Sequence, residues 1–145
     1  MTQLRHVGIV VRDLERALRF YRDLLGFREA RTMDERGPFL DAILGLQGAR
    51  VRTVKLEAPA GGAQVELLAF EQPATEIGLS PPLHRSGPTH IAVTVGDLDR
   101  LYERMHRAGI EFTTAPRVSP DGGAKVTFCR DPDGTYVELV ELVAA

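Results

Sequence analysis

Two short stretches of the chain, His6–Val11 and His90–Val95, alternate bulky apolar residues with small or polar ones and are rich in β-branched side chains. That is the pattern of a strand with one buried face. An aspartate follows each stretch, Asp13 and Asp97, where a carboxylate would accept the unpaired amide protons of a starting helix. Leu14, Ala17, Leu18, Tyr21, Leu24 and Leu25 then recur at helical spacing, as do Leu98, Leu101, Tyr102 and Met105. Helices are expected near 14–25 and 98–108, closed by Gly26 and Gly109 in the left-handed conformation. Alternating runs at Val51–Leu56, Gln64–Phe70, Lys125–Cys129 and Tyr136–Leu142 predict further strands. The turn sequence Asp131-Pro132-Asp133-Gly134 joins the last two. One more strand near Phe27–Thr32, and another near Glu111–Thr114, would make each half βαβββ, an α+β fold.

The two halves are copies of one another. HVGIVVRDLER at 6–16 aligns without gaps on HIAVTVGDLDR at 90–100, an offset of 84, and Val65-Glu66-Leu67-Leu68 matches Val137-Glu138-Leu139-Val140 at an offset of 72. An internal repeat of this kind governs every later reading of the sequence. The difference between the offsets places 12 extra residues in the first half, and the Gly- and Pro-punctuated stretch Arg31–Arg50 is where they fit. The expected organisation is one domain over 1–145: module one over about 1–71, a linker over 72–88 holding Pro73, Pro81, Pro82 and Pro88, and module two over about 89–145.

Strand alternation decides which side chains share a face. His6, Gly8 and Val10 lie on one side of the first strand, with Val7, Ile9 and Val11 on the other; His90, Ala92 and Thr94 oppose Ile91, Val93 and Val95. The bulky apolar side belongs under the helix, and the histidine side is small or mixed, as the lining of a pocket should be. Glu66 and Glu138 interrupt otherwise apolar strands, and an isolated carboxylate on a buried strand face is costly unless a positive charge meets it. Taken singly, a histidine at a strand start is more often a hydrogen-bonded surface group and a strand glutamate a solvated one. The repeat changes that, because the same His and the same Glu recur at equivalent places and a pseudo-twofold would gather His6, Glu66, His90 and Glu138 around one ion. His84, in the linker, and His106, matched by Arg22 in the first half, have no such support and are expected to be solvated.

Composition removes other functional classes. A chain of 145 residues with 43% hydrophobic content suits one buried core. A formal charge of −2 without blocks of like charge gives no field to gather nucleic acid or anionic membrane. The single cysteine, Cys129, rules out an intramolecular disulfide and fits a cytoplasmic setting. No leader pattern and no apolar run of about 18 residues or more argues for secretion or membrane spanning.

The segments HVGIVVRDLERALRFYRDLLGF at 6–27 and DPDGTYVELVE at 131–141 resemble the vicinal oxygen chelate superfamily, which includes glyoxalase I, methylmalonyl-CoA epimerase, extradiol dioxygenases and fosfomycin-resistance enzymes. The resemblance covers nearly the whole chain. It implies paired βαβββ modules forming a curved mixed sheet around a metal site, often in a homodimer, with the ligand positions falling on His6, Glu66, His90 and Glu138. That His/Glu/His/Glu set is similar to bacterial glyoxalase I. Epimerases of the superfamily usually carry Gln in place of Glu66, and extradiol dioxygenases use two His and one Glu.

Two imidazoles and two carboxylates suit one divalent ion: Zn, Ni, Co, Mn or Fe. The leading expectation is a lyase or isomerase of glyoxalase or epimerase type, moving a proton next to a carbonyl through a metal-chelated enediolate, with Glu138 first and Glu66 second as the base. The substrate would be a small molecule with a carbonyl or vicinal oxygens. An Fe(II) extradiol-type dioxygenase built on His6, His90 and Glu138 is one alternative, and a metal-free ligand-binding or drug-sequestering protein is another. Within the surplus segment, Phe39, Leu40, Ile43 and Leu44 sit at helix-like spacing and suit either a lid or a packing or dimer-contact helix. Arg50 and Arg52 are candidates to meet an anionic substrate tail.

Overall fold

A computed structural model describes residues 1–78 and 81–144. Of the proline-punctuated linker, residues 79 and 80 therefore lie outside the described residues. The chain divides into two compact units, Met1–Ile77 and Gly78–Ala145.

In the first unit, strand β1 (His6–Val10) leads into helix α1 (Leu14–Leu18), which widens into a π-helical turn over Arg19–Leu24. Then come β2 (Arg28–Arg36), helix α2 (Pro38–Leu44), β3 (Arg50–Glu57) and β4 (Gln64–Gln72). The sheet order is β1-β4-β3-β2, with β1 parallel to β4 and the other pairings antiparallel. Asp13 caps α1 by accepting from the Arg16 amide at 3.0 Å, and Gly26 closes the helical segment at a φ of 85°. Ile9, Val54, Leu56, Val65 and Leu67 bury one face of the sheet under Ala17, Leu18, Phe20 and Tyr21. That apolar sandwich drives the unit together.

The second unit repeats the plan. Strand β5 (His90–Thr94), helix α3 (Leu98–Arg107), β6 (Arg117–Val118), β7 (Ala124–Arg130) and β8 (Tyr136–Leu142) build a sheet of order β5-β8-β7-β6. Asp97 caps α3 through the Arg100 amide at 3.0 Å, and the Glu141 carboxylate of β8 accepts from the Leu98 amide at 2.8 Å, tying the helix start to the sheet. Gly109 ends the helix at a φ of 87°. Leu98 and Met105 pack with Cys129, Val137 and Leu139, all buried.

The strand expected at Glu111–Thr114 is not formed. Only Phe112 bridges to Cys129, and the ladder on β7 is the two-residue β6 further along. Phe112 turns its ring onto Tyr102 of α3 at 4.7 Å, and the Thr114 carbonyl accepts from the Thr127 hydroxyl at 2.6 Å. The Thr113 amide donates to the Phe128 carbonyl at 3.0 Å and the Arg130 amide to the Glu111 carbonyl at 3.1 Å, so the segment does meet β7, but the pairing stops after one bridge because the Thr114 carbonyl is engaged by a side chain and Pro116 offers no amide proton.

Candidate functional site

The register of the parallel strand pairs places the predicted residues. In the first unit Gly8 of β1 lies opposite Glu66 of β4, so His6, two residues earlier, projects from the same face. In the second, Ala92 of β5 lies opposite Glu138 of β8, with His90 again two residues earlier. Both histidines accordingly reach their carboxylates: His6 Nε2 stands 3.9 Å from Glu66 Oε1, and His90 Nε2 stands 3.3 Å from Glu138 Oε2. The carboxylate side chains are only 15% and 25% exposed, while the imidazoles are about a third exposed. Each unit thus presents one imidazole and one largely buried carboxylate on the sheet face away from its helix. Among the described residues no group of three or more His, Cys, Asp or Glu side chains is gathered.

Each pair fits a metal ion by its donor chemistry and spacing. Two donors about 2.1 Å from one ion in a tetrahedral or octahedral shell lie roughly 3.0–3.4 Å apart. The His90/Glu138 separation falls in that range, and the His6/Glu66 separation needs only a small side-chain adjustment. Thr89 Oγ1 lies 2.9 Å from His90 Nδ1. When that hydroxyl accepts the Nδ1 proton, Nε2 keeps a lone pair aimed at Glu138, and the two repel unless a proton or a cation stands between them. His6 Nδ1 is buried with no hydrogen-bond partner among the described residues. The remaining histidines, His84 and His106, are exposed, the latter stacked on Tyr102 at 5.5 Å.

The neighbours of the two pairs differ. Lys55 of β3 is the register partner of Glu66, and its Nζ stands 3.9 Å from Glu66 Oε2. Phe128 of β7 is the register partner of Glu138, and its ring meets His90 edge-on at 5.1 Å. Neither residue was singled out from the sequence. A lone lysine in a strand reads as solvated, and only the register with Glu66 reveals its position.

Two other expectations are resolved here. Helix α2 lies on the Glu66 side of its sheet, where Leu40 packs with Ala49, Val51, Leu46, Leu68 and Phe70, while Phe39, Ile43 and Leu44 are exposed. Asp41 holds its end by accepting from the amides of Gly48 and Ala49 at 3.0 and 2.8 Å. Arg52 projects from the opposite face, since it pairs in register with Ala69, one residue out of phase with Leu68, and stands an odd number of residues from Lys55; Arg50, the register partner of Gln72, lies beyond a register irregularity. Arg52 is held there by a two-pronged bond to Asp34 at 2.8 and 3.0 Å, which keeps the Asp34 carboxyl below its ordinary range. Strand alternation thus takes Arg52 away from any ligand at Glu66.

The sequence profile of the Glyoxalase/Bleomycin resistance protein/Dioxygenase superfamily matches residues 3–139, and the chain belongs to that superfamily. It is 33% identical to the uncharacterized protein YwkD of Bacillus subtilis over 144 residues, covering 97% of this chain and 98% of that one. It is 27% identical to the lactoylglutathione lyase of Haemophilus influenzae, covering 96% and 92% of the two chains. The crystal structure of a glyoxalase family protein from Bacillus cereus superposes with a TM-score of 0.91 over 99% of this chain and 96% of that one, at 23% identity, a likeness of fold.

Proposed function

We propose that the protein is a metal-dependent lyase or isomerase that moves a proton at the carbon next to a substrate carbonyl, with one divalent ion held by His6, Glu66, His90 and Glu138. The observation that carries this reading is the repeated His–carboxylate pair, set at the same register in both units with donors 3.9 and 3.3 Å apart. Membership of a superfamily with a lactoylglutathione lyase among its similar members supports the reaction class.

A bound divalent ion would supply Lewis-acid polarisation of the carbonyl. The protein's own groups divide the remaining work. Glu138 is the proposed base: its neighbour across the ladder is Phe128, and its partner within ion-pair reach is His90. Its carboxylate is free to take a proton from carbon and return it to the neighbouring atom. Glu66 is the proposed anchor, because Lys55 engages one of its oxygens while the other faces His6. Phe128, whose ring meets His90 edge-on, supplies an apolar neighbour on the Glu138 side.

The test begins with exchange of solvent deuterium into glutathione hemithioacetals and acyl-CoA thioesters by the metal-loaded protein. On the responding substrate, Glu138→Gln keeps an oxygen donor of similar shape and is expected to lower the rate by about two to four orders of magnitude. Glu66→Gln is expected to lower it less at matched metal occupancy. A greater loss in the Glu66 variant would transfer the role of base, and oxygen uptake by an iron-loaded form without proton exchange would replace the reaction class.

A further inference from the structure

Lys55 has a second unusual neighbour. Across β2 and β3 its register partner is Arg31, so two cations stand directly opposite each other on the face that carries Glu66. Met33 and Glu35, two and four residues beyond Arg31 on the same face of β2, are half-buried, with Glu35 within 3.3 Å of the Thr53 hydroxyl. Like charges directly opposite in a ladder are unfavourable unless an anion lies between them. Glu66 answers Lys55 only at 3.9 Å, and its lysine is 23% exposed, held along the sheet rather than extended into water. Once Glu66 gives its charge to an ion, the carboxylate within ion-pair reach of Lys55 is committed elsewhere, while Glu35, further along the same face, is engaged with the Thr53 hydroxyl.

We propose that Lys55 and Arg31 form an anion subsite that takes a carboxylate or phosphate group of the substrate. The proposal rests on the metal-dependent reading above for the position of the carbonyl. Adjacent strands are about 4.8 Å apart. The anionic group would therefore sit roughly 5–10 Å from the oxygen bound near Glu66, a separation of a few bonds. The substrate class is an oxo compound bearing its own acid group, such as an oxo acid or an oxo phosphate monoester, rather than a neutral aldehyde or ketone. The second unit lacks the feature, because Phe128 occupies the place of Lys55. The subsite would meet the anionic substrate tail for which the sequence offered Arg50 and Arg52 as candidates.

The experiment uses 4-oxopentanoate and its methyl ester as probes, titrated into the full chain with and without zinc and followed by the backbone amide resonances of Lys55, Arg31 and Glu66. A charge-assisted contact corresponds to about tenfold in affinity or more, so the acid is expected to bind at least about tenfold more tightly than the ester. Lys55→Met should bring the two probes to within about twofold of each other, and Arg31→Gln should reduce the preference severalfold. Zinc affinity, measured by calorimetry, should be kept or raised in Lys55→Met, since removing a cation beside Glu66 does not weaken a ligand carboxylate. Equal binding of acid and ester to the wild-type chain, with and without zinc, would overturn the proposal, as would a preference that survives in both variants. Absence of zinc binding by the wild-type chain would instead overturn the metal-dependent reading, while the acid-to-ester ratio in the metal-free chain still decides the subsite.

Discussion

One ion shared by two His–carboxylate pairs has a stoichiometric signature. Each pair by itself offers two donors, 3.9 Å apart in one case and 3.3 Å in the other. A two-donor site of this kind binds weakly, whereas four donors complete most of a tetrahedral or octahedral shell. The expected stoichiometry is therefore one Zn²⁺ or Ni²⁺ per chain. At a free metal concentration 100 times the dissociation constant, binding to the folded state alone adds about 2.7 kcal/mol. For a chain of this size that raises the melting temperature by roughly 10 °C. His6→Ala removes a donor from one unit and His90→Ala from the other, yet both should lose the same ion. Loss of a partner that merely orients a ligand costs about 10- to 100-fold in affinity, so direct ligand loss should cost at least that much and erase the melting shift at the same metal concentration. The double variant should add little. The assay is metal content by elemental analysis after desalting, with calorimetric titration and thermal melts of all four proteins. Two ions per chain, or a variant that keeps half of the wild-type metal, would show that each pair binds its own ion and would refute the shared site.

The remaining predictions concern groups near the second pair. Burial, with a smaller contribution from the charge of Asp131, pushes the Cys129 thiol up to about 12, so a disulfide reagent at pH 8 should leave the native chain unlabelled and react fully only on unfolding; rapid native labelling would contradict the burial. Because the folded chain holds that proton above the ordinary thiol value of 9.0, stability should fall from about pH 9 upward with a contribution approaching 1.4 kcal/mol per pH unit, and urea unfolding of Cys129→Ala should show a shallower alkaline decline. Asp131 Oδ1 accepts from the amides of Asp133 and Thr135, both at 2.9 Å. Asp131→Ala orphans both and should cost about 2–4 kcal/mol in urea unfolding, with Asp131→Asn recovering much of it, whereas a loss under about 0.5 kcal/mol would deny the turn its role in setting β8.

How far the sequence could be read depended on whether a feature is local. The cap aspartates Asp13 and Asp97 and the closing glycines Gly26 and Gly109 act within a few residues of themselves, and all four stand where their chemistry predicts. The alternating runs became β3, β4, β7 and β8 because one face of each had to be buried. The π-helical turn was invisible, since the Leu25 amide reaches back to the Phe20 carbonyl at 3.0 Å and apolar periodicity does not distinguish that spacing from an ordinary helix end. At Glu111–Thr114 the alternation was real and the segment does bond to β7 around a single Phe112–Cys129 bridge, but the Thr114 carbonyl is taken by the Thr127 hydroxyl and the ladder goes no further there. For the candidate site, each His–Glu pair was legible because the repeat doubled the signal. Lys55 and Phe128 were not, since they differ between the halves and matter only through pairing with β4 and β8.

That difference between the halves is itself informative. Positions that fix backbone and donors are the same in both: the strand-opening His, the cap Asp, the closing Gly and the strand Glu. Positions one strand further from the Glu are not, with Lys55 and Arg31 against Phe128, and the first unit alone carries helix α2 with its exposed Phe39, Ile43 and Leu44. A single ion with paired ligands asks for matching donors from the two halves, and matching donors are what the repeat retains. A small oxo compound has no such symmetry, since its acid end and its carbonyl need different neighbours. Under the proposed reading, two sheets with identical donors and unlike surroundings would serve both demands, the common part holding the ion and the divergent part choosing the substrate. The same division is the ground on which different work is proposed for the two carboxylates: the one beside Lys55 has a cation within ion-pair reach, and the one opposite Phe128 has an apolar register partner.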